Sequence, residues 1–377
     1  MTNGVKSDGR RCGGAWRSLF RLCARTAFYA LLAALALGAA SPRVVAESGA
    51  QQGALQPPSI PPQARQQWGR DLAGPKFSDP NKPLSAPPSW MARGIEYDVW
   101  ADGANLAMTM DQHLYSMVAP FAKRFEAEHG VRVAVKEGTC SVSQGLLVRK
   151  RVDMGGFCCP PAASDRLPGL RFHTLGVSAL ALIVHPDNPI DELTVEQARA
   201  IFAGRIRHWR DLPVPAGRNP LDRPIWPVSR LHCKQRPGHW RAILDHEDLF
   251  SPQMNEVGSI PAMIHEVASF PDAIGYEVLY DIERYVGSEG RVKVLRIDGM
   301  DPRDDAHLLA ARYPFYRAHN IALWEDKALR KPLAQSFLDA FETDVTQVGD
   351  AFGVIPVGAL RKAGWRFVGG ELVGEPP

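Results

Sequence analysis

From Gly94 onward, the apolar residues follow the periods of strands and helices in turn. Residues 114–128 (LYSMVAPFAKRFEAE) carry apolar side chains at helical spacing, and His129-Gly130 provides a stop signal. Residues 131–135 (VRVAV) alternate as a strand does, and residues 178–185 (SALALIVH) are continuously apolar, which is typical of a strand covered on both faces. The repeated strand–turn–helix units predict an α/β fold with mainly parallel sheets.

The N-terminus has the pattern of a secretory signal. Six basic residues precede an apolar run over residues 27–40, which is short for a membrane span but fits a signal-peptide core. The small residues Val44 and Ala46 predict cleavage before Glu47. We therefore expect residues 1–46 to be a signal peptide and the protein to be exported to the periplasm. The alternative is an uncleaved membrane anchor.

Removal of this segment changes the charge and the cysteine count. The whole chain has 44 basic and 41 acidic residues. Loss of seven basic residues and one acidic residue leaves 37 and 40, a net charge of −3, so nothing indicates a nucleic-acid partner. Residues 47–94 contain nine of the 31 prolines, which predicts an extended, disordered tether. The remaining cysteines are Cys140, Cys158, Cys159 and Cys233.

Four segments carry a family resemblance: residues 184–212 (VHPDNPIDELTVEQARAIFAGRIRHWRDL), 271–276 (PDAIGY), 311–317 (ARYPFYR) and 337–356 (FLDAF…VGDAFGVIP). In order and spacing they are similar to phosphate-binding-type periplasmic solute-binding proteins of ABC transporters, over about residues 110–356. The resemblance implies a type 2 periplasmic binding protein fold, with two α/β lobes joined by crossing strands. Lobe one would comprise residues 95–178 and 295–377, and lobe two residues 179–294. It further implies a monomer without catalysis or cofactor that binds a small anion and delivers it to a membrane permease.

The same resemblance places the ligand loops. Family members that bind phosphate present backbone N–H groups and Ser/Thr hydroxyls at the starts of helices, where the helix dipole favours an anion. These loops fall on residues 110–113, on Cys140, on Cys158-Cys159 and on residues 231–235, so the usual hydroxyls are missing and all four remaining cysteines occupy ligand positions. The predicted ligand-binding residues are Asp111, His113, Thr139, Cys140, Ser141, Ser143, Cys158, Cys159, Arg230, His232, Cys233 and Lys234.

The cysteines leave two interpretations open. In an oxidising compartment, Cys140 and Cys158 or Cys159 would form a structural disulfide beside a site for an oxyanion. Alternatively, thiols and imidazole would bind copper, zinc or a trivalent metalloid, and the protein would be a thiol-based sensor or carrier acting on a membrane partner. The residues of that alternative site are Cys140, Cys158, Cys159, His232 and Cys233.

Overall fold

The computed structural model describes residues 77–230, 243–244 and 249–377. The predicted signal peptide, most of the predicted tether, and His232, Cys233 and Lys234 lie outside the described residues. Within the described ranges, no helix combines the length and the apolar character that a membrane span requires.

The strands are short except for two. They are β1 (Leu106–Asp111), β2 (Val133–Gly138), β3 (Met154–Phe157), β4 (Leu170–Val184), β5 (Glu192–Leu193), β6 (Trp226–Arg230), β7 (Asn255–Val257), β8 (Ala273–Val278), β9 (Lys293–Val294), β10 (Arg296–Ile297), β11 (Tyr316–Trp324), β12 (Ile355–Pro356), β13 (Arg366–Val368) and β14 (Glu371–Gly374). The helices are α1 (Pro88–Met91), α2 (Gln112–His129), α3 (Cys140–Val148), α4 (Val195–Phe202), α5 (Ile260–Ser269), α6 (Leu279–Glu289), α7 (Asp305–Leu309), α8 (Pro332–Val348) and α9 (Val357–Lys362).

The main sheet has the order β2-β1-β3-β11-β4-β8-β6-β7. On one side, β1 pairs in parallel with β2 and β3, and these strands with β11 define lobe one. On the other side, β6 pairs in parallel with β7 and β8, and these three strands define lobe two. Strand β4 links the lobes, because its residues 170–179 pair with β11 and its residues 180–184 with β8. The predicted two-lobed α/β fold is confirmed. The sheet is mixed, since β4 and β11 run antiparallel to their neighbours.

Helix α2 shows how the sequence fixes the first site element. It begins two residues before the predicted start, because the side chain of Asp111 accepts a hydrogen bond from the His113 N–H and caps the helix. It ends as predicted at Gly130, which has the left-handed φ of 62° that glycine adopts readily. Its apolar face packs on α8 through Phe121, whose ring centroid lies 5.1 Å from that of Phe337.

The predicted strands are present with shifted limits. The strand expected over residues 131–135 runs over Val133–Gly138, so its end reaches the site. The strand expected over residues 178–185 is 15 residues long, Leu170–Val184, because it serves both lobes. Thr194 caps α4, with a reciprocal contact to Gln197.

Residues 77–94, which the sequence pattern assigns to the tether, pack against lobe one. The backbone N–H of Leu84 donates to Arg166 O at 2.7 Å. Trp90 lies 6.1 Å from Trp324 between ring centroids, and Lys150 Nζ lies 4.1 Å from the centre of the Trp90 ring. These aromatic and cation–π contacts hold the segment on the folded body.

Candidate functional site

Three neighbouring strands of lobe one end at the same edge of the sheet, and chemically active residues follow each of them. Strand β1 ends at Asp111, β2 leads into Cys140, and β3 is followed by Cys158. Because the strands are parallel, their carboxyl ends meet at one edge, which is where ligands bind in open α/β sheets. One ligand atom from each of these three side chains lies within 4.8 Å of the other two.

The cysteines form a buried sulfur cluster. Cys140 Sγ lies 3.3 Å from Cys158 Sγ, and Cys158 Sγ lies 4.0 Å from Cys159 Sγ. These are contacts rather than bonds, since a disulfide is about 2.05 Å long, and no disulfide joins these three cysteines to one another. The hydrogen bond with Cys140, together with burial, raises the pKa of Cys158, and burial raises the pKa of Cys159.

A buried arginine of lobe one faces this cluster. Arg317 is 2% exposed on β11, and its NH1 group lies 3.7 Å from Cys158 Sγ and 3.9 Å from Cys159 Sγ. Asn320, on the same strand, donates from Nδ2 to Cys159 O at 2.9 Å and fixes the backbone of that loop. The cluster is therefore held from two sides, by the loop after β3 and by β11.

Side chains from the two lobes meet at the start of α2. His113 Nδ1 lies 2.6 Å from Asp281 Oδ2, and Asp281 belongs to α6 of lobe two. Arg230, at the end of β6 and 3% exposed, donates to Gln112 Oε1 of lobe one and to Glu277 Oε1 of lobe two. These contacts join the lobes at the same place where the strands of lobe one end.

Burial controls the protonation of this junction. It raises the pKa of Asp281 to about 7 and, with the charges of Arg317 and Arg230, lowers the pKa of His113 to about 4. Between about pH 4 and 7 the proton shared by His113 and Asp281 therefore lies on the carboxyl, and Asp281 Oδ2–H donates to Nδ1. Burial also raises the pKa of Asp111.

Several buried polar atoms at the junction lack hydrogen bonds to the described part of the chain. They are Asp111 Oδ2, Glu277 Oε2, Asp281 Oδ1 and His319 Nδ1. Leaving such an atom unsatisfied costs about 1–3 kcal/mol. A polar molecule bound here would recover part of that free energy.

The three predicted hydroxyl donors differ in their contacts and in their exposure. Thr139 Oγ1 accepts from Val142 N at 3.3 Å and caps α3. Ser143 is buried and bonds to Thr109 Oγ1 at 3.1 Å, so both side chains serve the local structure. Ser141 is exposed on the first turn of α3.

The structure thus brings together Asp111, His113, Cys140, Cys158, Cys159 and Arg230 from the predicted set. The sequence analysis missed Glu277, Asp281, Arg317 and His319. A signal was present for Arg317, which ends the quoted segment ARYPFYR. Glu277 lies in β8 and Asp281 in α6. The apolar pattern of these two segments does not indicate that the acidic side chains are buried.

A scan of known families matches residues 100–341 to a model described as a PBP superfamily domain. The chain is 26% identical over 169 residues to the phosphate-binding protein PstS of Pseudomonas aeruginosa, a match that covers 42% of this chain and 50% of that protein. It is 26% identical over 197 residues to PstS of Bacillus subtilis, covering 50% of this chain and 58% of that protein. The chain thus spans about half the length of the curated relatives it matches.

Solved structures agree on the fold. An ABC-type phosphate transport receptor from Vibrio cholerae has a TM-score of 0.54 at 19% identity, with 67% of this chain and 99% of that chain covered. A putative phosphate ABC transporter substrate-binding protein from Clostridium perfringens, solved with bound phosphate, has a TM-score of 0.56 at 19% identity and the same coverage. The family match, which covers most of the folded body, shows that the chain belongs to the PBP superfamily.

Proposed function

We propose that this protein is an exported receptor that binds a small oxoacid between its two lobes, without catalysis or a cofactor, and presents its closed form to a membrane permease. We assign lobe one to residues 95–178 and 295–377 and lobe two to residues 179–294. The observation that carries the proposal is the pair of buried guanidinium groups, Arg230 from lobe two and Arg317 from lobe one. Planar guanidinium groups match oxyanions through paired N–H donors.

The charges at the junction leave room for an anion. Glu277 offsets Arg230 by direct contact. Asp281, with a pKa of about 7, is largely neutral in mildly acidic solution, and burial likewise favours the neutral form of Asp111. Arg317 brings its guanidinium group to the same buried place, where electrostatic interactions are strong.

A solute at this point would contact both lobes at once. Lobe one offers the starts of α2 and α3 with their positive dipole ends, and lobe two offers Arg230. A ligand that touches both lobes only when they meet stabilises the closed state by its differential affinity. A permease would recognise that state.

Titration calorimetry of the full chain with inorganic phosphate, arsenate and sulfate tests the proposal. We expect at least one of these anions to bind, and Arg317→Gln to weaken that binding by about 10-fold or more. Arg124→Gln, which changes an arginine side chain that is 52% exposed, is the matched control and should bind as the wild type does. Absence of binding by all three anions, or an Arg317→Gln variant that binds normally, would overturn the proposal.

A second candidate function rests on the 3.3 Å contact between Cys140 Sγ and Cys158 Sγ. Here the protein is a thiol-based sensor or carrier for copper, zinc or a metalloid, signalling to a membrane partner. Asp111, Cys140 and Cys158 form one possible ligand group, and His113, Glu277 and Asp281 form another. Metal analysis and a thiol count on protein from the periplasm test this candidate. Stoichiometric metal with reduced thiols supports it, and oxidised thiols without metal contradict it.

A further inference from the structure

The sulfur cluster has the spacing of ligands around one central atom. Four sulfurs placed tetrahedrally at about 2.3 Å from a centre are about 3.8 Å apart. The observed separations from Cys158 Sγ are 3.3 Å to Cys140 and 4.0 Å to Cys159, which bracket that value. All three side chains are 5% exposed or less. Cys158 thus lies at ligand-like distances from the sulfurs on either side of it, and rotation about χ1 of Cys140 and Cys159 is the movement that would direct all three at a shared atom.

Secondary structure holds these sulfurs in place. Cys140 is the first residue of α3, directly after the capping residue Thr139. Cys158 and Cys159 follow β3, and the Cys158 N–H donates to Cys140 Sγ at 3.3 Å. A site built on such elements is preorganised, and little conformational entropy is lost when a ligand binds.

On the basis of the proposed function, in which the cleft takes a small oxoacid, we infer that Cys140, Cys158 and Cys159 bind the oxoacid of a trivalent metalloid, arsenous acid or its antimony analogue. Phosphate and sulfate offer thiols no exchangeable hydroxyl at a thiophilic centre, whereas As(OH)₃ offers three. The exchange is As(OH)₃ + 3 Cys–SH → As(S–Cys)₃ + 3 H₂O. Three S–H and three As–O bonds break, three As–S and three O–H bonds form, and arsenic stays trivalent.

The burial of the site favours this ligand over a divalent cation. The exchange creates no net charge, and a charge in a buried site is costly. Zinc binding would require thiolates, release protons and demand a fourth ligand. Asp111 is near enough to supply that ligand, so zinc is the competitor to test. Arg317 NH1, at 3.7 Å from Cys158 Sγ, faces electron-rich sulfur in the product.

The experiment uses the reduced full chain with sodium arsenite as the probe. We expect one arsenic atom per chain and three sulfur neighbours in the arsenic X-ray absorption spectrum. Cys158→Ser should lower arsenite affinity by about 100-fold or more, beyond what loss of a supporting residue costs. Ser336→Ala, which changes an exposed side chain on α8, is the control and should bind as the wild type does. An arsenic shell of oxygen, or tight binding by Cys158→Ser, would overturn the inference.

Titrations of the same wild-type preparation separate this inference from the proposed function. If phosphate or arsenate binds and arsenite does not, the inference fails and the oxoacid receptor stands. If none of these probes binds, both fail. If zinc binds stoichiometrically and arsenite cannot displace it, the cluster is a metal site and the inference fails. Because these tests use unmodified protein, misfolding of a variant cannot obscure them.

Discussion

His113 Nδ1 lies 2.6 Å from Asp281 Oδ2, although the two residues are 168 positions apart and belong to opposite lobes. His113 stands in the first turn of α2 and Asp281 in the first turn of α6. Both side chains are buried, and the ionisable groups that act on them within the described part of the chain include Arg230, Arg284, Arg317, Glu277 and Asp111. The contact closes the junction of the lobes beside the sulfur cluster.

This pair should contribute little pH dependence to stability between about pH 4 and 6.5. In the unfolded chain in this range the carboxyl is ionised and the imidazole protonated, and in the folded protein the pKa of Asp281 is about 7 and that of His113 about 4. Each state then holds one proton, so the pair's contribution to the free energy of unfolding does not change with pH.

Single substitutions should reveal two opposing dependences of stability on pH, which cancel each other in the wild type. In Asp281→Asn, the unfolded state binds more protons at His113, so stability relative to wild type should rise with pH from about 4 to 6.5. In His113→Asn, the folded state binds more protons at Asp281, so relative stability should fall as pH rises from about 4 to 7. Each slope is at most about 1.4 kcal/mol per pH unit. Urea unfolding of both variants, with the exposed His265→Asn as control, measures them, and parallel profiles would contradict the assignment.

The cap of α2 gives a prediction on stability. Asp111→Ala removes the acceptor for the His113 N–H, which lies 3.0 Å from Oδ1, and should cost about 1 kcal/mol in the free energy of unfolding. Asp111→Asn keeps a side-chain acceptor and should remain within about 0.5 kcal/mol of the wild type. Chemical denaturation distinguishes them, and equal stability of the two variants would show that the cap does not matter.

Close packing beneath the site gives a second prediction on stability. A Cβ on Gly156 would lie 2.5 Å from Met110 Sδ and 3.1 Å from Met110 Cα, so Gly156→Ala should displace the end of β1 and cost about 1–3 kcal/mol. Gly358→Ala is the matched control, because nothing lies within 4 Å of its added Cβ and it stands in α9. We expect only Gly156→Ala to lower the midpoint temperature of thermal unfolding. A Gly156→Ala variant with the midpoint of the wild type would contradict this packing.

The buried ion pair between Arg166 and Glu371 should matter far more than an exposed one. Arg166 NH1 lies 2.6 Å from Glu371 Oε2, and NH2 bonds to Ser78 Oγ at 2.8 Å, which ties residue 78 to the body. Glu371→Ala leaves a buried guanidinium unpaired and should cost about 3–5 kcal/mol. Glu325→Ala disrupts an exposed contact with Arg171 and should cost less than about 1 kcal/mol. Similar losses in urea unfolding would refute this ranking.

The sequence predicts the lobe-one residues of the site better than the lobe-two residues. The family resemblance places Cys140 and Cys158 in ligand loops. The structure brings their sulfurs into contact, because the parallel strands that precede these loops end at one edge of the sheet. The lobe-two residues that contact this part of lobe one cannot be predicted in this way. Asp281 reads as an ordinary acidic residue near a helix start, and only the meeting of the lobes shows that it is buried against His113.

The fold follows from the apolar pattern as far as local periodicity extends. It locates α2 within two residues, since the apolar residues at helical spacing are followed by His129-Gly130, where the helix ends. It underestimates β4, because residues 170–177 include polar side chains that face the junction with β11, such as Thr174, which bonds to Asn320 at 2.6 Å. The antiparallel neighbours of β4 depend on long-range pairing, which periodicity does not report.

Binding of an oxoacid between Arg230 and Arg317 is tested most directly by anomalous scattering from a crystal grown with arsenate. Arsenate has the shape and charge of phosphate, and its arsenic atom can be located by X-rays tuned to its absorption edge. We expect a peak at the junction of the lobes, with oxygens at hydrogen-bond distance from both guanidinium groups. A peak elsewhere, or an empty junction in protein that binds arsenate in solution, would contradict it.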